Sequence, residues 1–443
     1  MLSEKRPSML YQFGLLLVAV SMLILPCIYL ALTVSACWGV YYFATHDFLS
    51  IWAWPIGHSR YSLLIKMICS VTPLLAGTTM ALFMVKPLFA RRAKRMQPLA
   101  LNPQVEPRVY ELVQSICQLL AAPAPKQIEL NCEINASAHF SGGWSGFFGN
   151  RLTLTLGLPL VAGLSQRELA GVIAHEFGHF RQGVGMRLSY LIRQVNGWFA
   201  RVIYERDAWD EAIESWAGSD EAWISFMVGC ARFGVWVSRR ILWLLMIAGH
   251  SICAFLLRQM EYDADAAEIK LAGSDAFEST TLKLASLGAV MSDIHSDMRR
   301  SWRSQFQLPD NLPLLVAHRA SQLSAEKRQK IENRVGLEKT RLLDTHPSAA
   351  DRVRVARQMA EPGYDISNTP ARELFENFDV VGRLVTLVHY EDDLNVPTTE
   401  DFLIPVEQLI APAPVVDAVP ATPGMPMMAY NPEAFQNKQT KTK

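Results

Sequence analysis

The sequence lacks an excess of charge of either sign, since 42 Lys and Arg stand against 42 Asp and Glu. No global field therefore draws the chain to nucleic acid, and it carries no nucleic-acid-binding motif. It lacks a cysteine framework as well. Its seven cysteines are an odd number, contain no Cys-x-x-Cys pair and lie partly in apolar stretches. That excludes a disulfide scaffold and points to buried or membrane-embedded thiols in a reducing compartment. No internal repeat is evident.

Charge is also missing locally. Residues 7–46 contain none, and residues 10–38 are almost wholly apolar, enough to cross about 30 Å of hydrocarbon. A second uncharged run of about 19 residues, 67–85, is also long enough to span. The linker between them carries Trp52, Trp54 and Tyr61, side chains suited to a membrane interface. A cleaved signal peptide is excluded by the length of the first run and by the second span behind it. Val34-Ser35-Ala36-Cys37 loosely matches a lipoprotein cleavage box, but a retained helical hairpin accounts for both runs. Lys5 and Arg6 precede the first span, and Lys86, Arg91, Arg92, Lys94 and Arg95 follow the second. The positive-inside rule then places both ends in the cytoplasm.

The soluble part begins with helical spacing over 103–122, stopped by Pro123 and Pro125. Strands are expected over 127–134 and 151–156, with a Gly- and aromatic-rich loop at 141–150. Ser165 and Glu168 form a capping box that opens the next helix. On it stands His175-Glu176-Phe177-Gly178-His179. Residues four apart share a helical face, so both imidazoles can reach one metal ion. Glu176 then lies where it can take a proton from water activated by that metal. Gly178 allows close packing.

A catalytic zinc normally takes three protein ligands and keeps one position open. The best source of a third is the segment from Glu261 to Ala267, predicted to be helical. Glu261 is the candidate ligand. Asp265, four residues on, is the candidate to orient a ligand histidine through its free ring N–H. The alternative is an acidic, solvated helix face.

His-Glu-x-x-His, followed about 80 residues later by Glu-x-x-x-Asp behind an N-terminal membrane hairpin, resembles the HtpX and CAAX prenyl protease family of membrane zinc metallopeptidases. The layout is closer to HtpX, because the CAAX proteases have many more spans. Asn135-Ala136 resembles the family's edge-strand segment lining the cleft. Residues 152–164, a strand running into Gly157-Leu158 and then the helix, are similar too. Thr345-His346-Pro347-Ser348 with Asp351-Arg352-Val353 resembles its downstream His-Pro motif. The resemblance implies a gluzincin peptidase. One zinc per chain would be held by His175, His179 and Glu261, with Glu176 as general base. His346 and Arg352 would lie near the site, binding substrate or the developing oxyanion. Their alternative role is a helix start that packs the C-terminal part.

The expected fold is α+β and mostly helical. Residues 1–96 form a membrane anchor with two transmembrane helices. Residues 97–390 form a zincin-like metallopeptidase domain with a small sheet, the His-Glu-x-x-His helix and a helical C-terminal part. Within it, residues 222–257 are apolar but interrupted by Arg232, Arg239 and Arg240, and are read as long helices packed on the core or lying shallowly in the membrane. Residues 391–443 are a Pro-rich disordered tail. The expected function is hydrolysis of peptide bonds in protein or peptide substrates, membrane proteins among them. The place is the inner membrane, multi-pass, with the catalytic domain on the cytoplasmic side. The competing reading is an inactive membrane adaptor with a structural zinc, for which Glu176 would have no use.

Overall fold

The computed structural model describes residues 9–57, 59–89, 98–140, 151–180, 184–205, 208–216, 221–393, 396 and 400–410. The basic residues Lys5, Arg6, Arg91, Arg92, Lys94 and Arg95, the 141–150 loop and the chain beyond 410 lie outside the described residues.

The uncharged runs form α1 (Met9–Tyr42) and, after the short α2 (Phe48–Trp52), α3 (Arg60–Val85). Both contain a proline, Pro26 and Pro73, which membrane-length helices tolerate when neighbouring helices satisfy the freed backbone. The two pack side by side where Gly77 leaves room for Val40, whose methyl is 3.0 Å from the position a Cβ would take.

The sheet follows. It consists of β1 (Leu99–Ala100), β2 (Gln127–Asn131), β3 (Ala136–Phe140) and β4 (Leu152–Gly157), in the order β1-β2-β4-β3. Strands β2 and β4 are parallel, and β3 runs antiparallel to β4 at the edge. Helix α4 (Pro107–Leu120) covers the sheet with Val109, Val113, Ile116 and Leu120. It is shorter than its periodicity suggested, because Pro107 opens it and Ala121 closes it in the left-handed region, φ 53°. At the exit of β4 a Cβ on Gly157 would lie 1.7 Å from the Glu133 carbonyl oxygen, so only glycine fits there. Helices α5 (Leu158–Gly163) and α6 (Gln166–Gly178) come next, and α6 carries the histidines.

Helices α7 (Val184–Tyr204), α8 (Ala208–Trp216) and α9 (Ala222–Ala272) form the connection to Glu261. Helix α9 is one unbroken element of 51 residues, about 77 Å long at 1.5 Å per residue. No hairpin forms between 223–237 and 241–257. The arginines do not interrupt the helix, since arginine is a good helix former and two of the three find contacts. Arg239 reaches Asp210 of α8 at 2.8 Å, and Arg240 lies over the rings of Trp236 and Trp243. Helix α7 runs antiparallel beside α9: Glu205 O accepts from Arg239, and Asn196 bonds Cys253. Ile192, Val195 and Phe199 meet Leu242, Met246 and Leu257 there, together with Val18 and Met22 of α1. Helix α7 therefore leaves the histidines and α9 returns to them. Among the described residues, three segments are long and apolar enough to cross a membrane, Leu16–Trp52, Arg60–Phe89 and Met227–Ala272. The apolar part of the third ends at Leu257, before Arg258 and the acidic turn. A buried clasp ties the three together: the Tyr29 hydroxyl donates to Met84 O at 2.9 Å and pairs with Ser238 Oγ at 2.9 Å.

The C-terminal part contains α10 (Ser274–Gln305), β5 (Leu308–Pro309), α11 (Leu312–Ser321), α12 (Ala325–Leu337), α13 (Ala349–Met359), α14 (Phe378–Val388), β6 (Leu403–Ile404) and α15 (Val406–Ile410). Helix α12 buries no residue, in keeping with its charged sequence. Part of the segment read as a disordered tail from 391 takes regular structure. Strand β6 pairs in parallel with β5, Val406 is buried, and its N–H donates to Asp310 at 2.7 Å. Those contacts anchor residues 400–410 despite their proline-rich surroundings.

Candidate metal centre

Helix α6 is positioned from its first turn. Ser165 Oγ accepts from the Glu168 N–H, and the Glu168 carboxylate accepts from the Ser165 N–H at 2.8 Å. That carboxylate also takes Lys283 and Ser279 at 2.7 Å each. The helix then lies directly on α9. A Cβ on Gly178 would meet Ala264 Cα at 3.0 Å, and one on Gly171 would meet Ala272 Cβ at 2.9 Å. This seam of small residues brings the histidines within reach of the acidic turn of α9.

His175 and His179 stand with ring centroids 5.0 Å apart and planes at 89°. The two Nε2 atoms lie 3.6 and 3.7 Å from the two oxygens of Glu261. These separations are too long for hydrogen bonds. They match donors about a single ion: two ligands about 2.1 Å from a tetrahedral zinc are about 3.4 Å apart. The ligand atoms of the three residues lie within 4.8 Å of one another, so the donor set fits a metal.

On the other side of His175, Nδ1 is 3.0 Å from Asp265 and 3.6 Å from Glu268. His175, Asp265 and Glu268 form a second cluster of metal-ligand type, but its geometry is that of support. Asp265 is at hydrogen-bond distance from Nδ1 and is already gripped by Arg352 through two bonds, 2.8 and 2.5 Å. Arg352 also lies over the Phe277 ring at 5.5 Å. Its guanidinium thus faces Asp265 behind the histidine. His346 lies on the opposite side, mostly exposed, with Nδ1 3.3 Å from Glu261.

The electrostatics follow from burying so many charges together. Burial lowers the affinity of His175 for its proton, but Asp265 and Glu261 outweigh this and lift its pKa to about 10. Burial would raise Glu261 and Asp265. Both are instead held below the usual carboxylate range, Glu261 by His175 and His346 and Asp265 by His175 and Arg352. Glu268 is pushed up to about 7 by burial, which the nearby His175 charge only partly offsets.

Glu176 sits beside the edge strand, where its Oε2 accepts the Ala138 N–H at 3.3 Å. Asn135 O accepts from the Gly157 N–H at 2.8 Å, so the inward pairs of β3 are the odd positions, and Ala138 turns its backbone away from β4. The Asn135 side chain is exposed at the start of this strand. The structure thus brings His175, His179, Glu261, Asp265, Arg352 and His346 together and sets Glu176 between them and β3. Sequence reasoning missed Glu268. The signal was available: 261, 265 and 268 follow i, i+4, i+7 and share one helical face.

A membrane-bound metalloprotease is the class this arrangement defines. Residues 103–360, more than half of the chain, match the family model described as Peptidase family M48, and the chain belongs to that family. It is similar to Protease HtpX of Acinetobacter baumannii (strain AYE), 24% identical over 296 residues, which cover 65% of this chain and 84% of that protein. Protease HtpX of Acinetobacter baylyi is 25% identical over 229 residues, 50% of this chain and 62% of that protein. No solved structure matches.

Proposed function

We propose that the chain is a zinc-dependent endopeptidase of the inner membrane, working at the cytoplasmic face on protein or peptide substrates. The observation that carries this reading is the convergence of His175 Nε2, His179 Nε2 and the Glu261 carboxylate, with Glu176 on the adjacent turn. Among the described residues the converging set is three, which leaves the open position a catalytic site needs and a structural clamp lacks. Zinc held there would supply Lewis acidity, polarising a carbonyl and lowering the pKa of water to about 7.

The chain's own residues supply the rest. The Glu176 carboxylate takes the proton of the attacking water and returns it to the leaving amine. Asp265 stands 3.0 Å from Nδ1 of His175 and would thereby select which ring nitrogen faces the metal. Arg352 keeps Asp265 ionised. His346, exposed beside Glu261, is available to the substrate carbonyl region. An extended substrate adds to β3 as a further strand, its backbone facing the outward groups of residues such as Ala138. The basic residues after the second span and the unpaired cysteines support the cytoplasmic side.

The test is Glu176→Gln in the full-length, detergent-solubilised chain. Zinc content should equal that of the unaltered protein, while cleavage of casein and of membrane-protein substrates falls by at least about 100-fold. Undiminished cleavage would remove Glu176 from the chemistry. Zinc held with an open coordination position and no cleavage by the unaltered chain would favour an adaptor instead.

A further inference from the structure

A cavity of about 430 Å³ lies far from the metal centre, between the end of α7, α8 and the first half of α9. Its α9 wall is a single stripe: Arg232, Trp236, Arg239, Arg240 and Trp243 follow i, i+4, i+7, i+8 and i+11. The arginines are not equivalent. Arg239 is bound to Asp210 at 2.8 Å, and Lys86 approaches the same carboxylate at 3.4 Å. Arg232 and Arg240 form no ion pair among the described residues. The Arg240 guanidinium rests on the faces of Trp236 and Trp243, 5.6 and 5.8 Å from their centroids. Stacking of that kind holds the plane of the fork and leaves its N–H edge for an acceptor.

The level of this cavity in the molecule narrows what could fill it. Lys86, at the end of the uncharged run of α3, approaches Asp210, and Tyr29 of α1 meets Met84 and Ser238 beside it, so the cavity lies against the membrane-length helices. Two amphipathic rings of its lining open outward: Tyr204 and Trp236 are 64 and 55% exposed. Exposed aromatic rings on membrane-length helices lie among lipid headgroups and upper acyl chains. Two unneutralised guanidiniums beside such rings match a phosphate carried on an apolar tail.

We propose that this cavity binds the phosphate headgroup of an anionic phospholipid, with Arg232 and Arg240 on the phosphate and the exposed rings against the acyl chains. The site ties the start of α9 to the bilayer surface and thereby fixes the level of the bundle that carries the metal centre.

The test uses the full-length chain in detergent, exposed to equal amounts of phosphatidylglycerol and phosphatidylcholine with the same acyl chains, and counts bound lipid by native mass spectrometry. Phosphatidylglycerol should be retained about tenfold over phosphatidylcholine: both offer a phosphate, but the choline cation of the latter opposes Arg232 and Arg240. The preference should fall to parity in R232Q/R240Q and persist in R300Q/R354Q, which removes two exposed arginines elsewhere. Equal retention of both lipids by the unaltered chain overturns the site without reliance on any variant. A preference that survives in R232Q/R240Q overturns the residue assignment. Displacement of phosphatidylglycerol by millimolar inorganic phosphate overturns the lipid source and leaves a site for phosphate from solution.

Discussion

Arg352 grips Asp265 with two hydrogen bonds, 2.8 and 2.5 Å, and the shorter one goes to Oδ1, the same carboxylate oxygen that His175 Nδ1 approaches at 3.0 Å. Asp265 is 1% exposed, so its charge is tolerable only while both partners are present. The C-terminal helix α13 is thereby tied to His175, 177 positions earlier in the chain.

Arg352→Ala should therefore weaken zinc binding without touching a ligand. Losing a direct outer partner of a ligand histidine costs about 10- to 100-fold in metal affinity, and Arg352 acts one contact further out, so a loss of about 10-fold or less is expected. Competition with a chromogenic chelator measures this directly. Arg352→Lys keeps the charge but loses the two-pronged contact, and should fall between. Equal affinity in the alanine variant would mean that Asp265 holds His175 unaided.

The seam between α6 and α9 gives a second expectation. A methyl at position 178 would approach the Ala264 backbone at 3.0 Å, and backbone cannot rotate away as a side chain can. Gly178→Val should force the helices apart and cost about 1–3 kcal/mol of stability. It should lower zinc affinity as well, because the same displacement separates His179 from Glu261. Gly288→Ala is the matched control, since nothing lies within 4 Å of that position. Melting of the detergent-solubilised chain with and without zinc distinguishes the two effects.

Glu268 should show itself in the pH dependence of the metal-free protein. Burial raises its pKa from 4.5 to about 7. A carboxyl raised on folding contributes its full stability below its unfolded pKa and loses it as pH rises through the folded one. Glu268→Gln mimics the protonated acid and has no such loss. At about pH 8 the variant should melt above the unaltered chain, and at about pH 5 the gain should vanish. Glu268→Gln also removes a charge 3.6 Å from His175, so the difference between the two proteins reports the coupled pair. A gain that is the same at both pH values would remove the assignment.

The local features of the centre were legible because they are local. The spacing of His175 and His179, the capping box at Ser165 and the acidic turn at Glu261 each need only one helix to be read. Strand order was not legible from periodicity: the resemblance alone put Asn135-Ala136 at an edge, and the parallel pairing of β2 with β4 that leaves β3 there is non-local. Nor was the partner of α9. Helix α7 contains Arg187, Arg193 and Arg201 in sequence, which disguises an apolar face built from Ile192, Val195, Phe199 and Ile203. The arginines of α9 suggested a break because their partners, Asp210 and two tryptophan rings, are brought in by packing alone. Residues 400–410 likewise depend on β5, almost a hundred positions earlier, for their strand.

The edge strand offers a test that separates substrate binding from metal binding. Ala138 faces away from β4, so its N–H makes no ladder bond and donates instead to Glu176 Oε2 at 3.3 Å. Proline removes an N–H, and on an edge strand it is tolerated where that N–H points outward. Ala138→Pro should therefore leave the sheet folded and zinc affinity unchanged. It blocks addition of a substrate strand and frees the Glu176 carboxylate from its one backbone donor at this position. Loss of strand addition raises KM, and loss of the Glu176 contact lowers kcat, so kcat/KM should fall about tenfold or more while metal content holds. Ala138→Val keeps the N–H and should retain most activity. If both variants lose cleavage equally, the volume of the side chain at 138 governs the cleft rather than its backbone. If neither does, substrates reach the centre without pairing to β3.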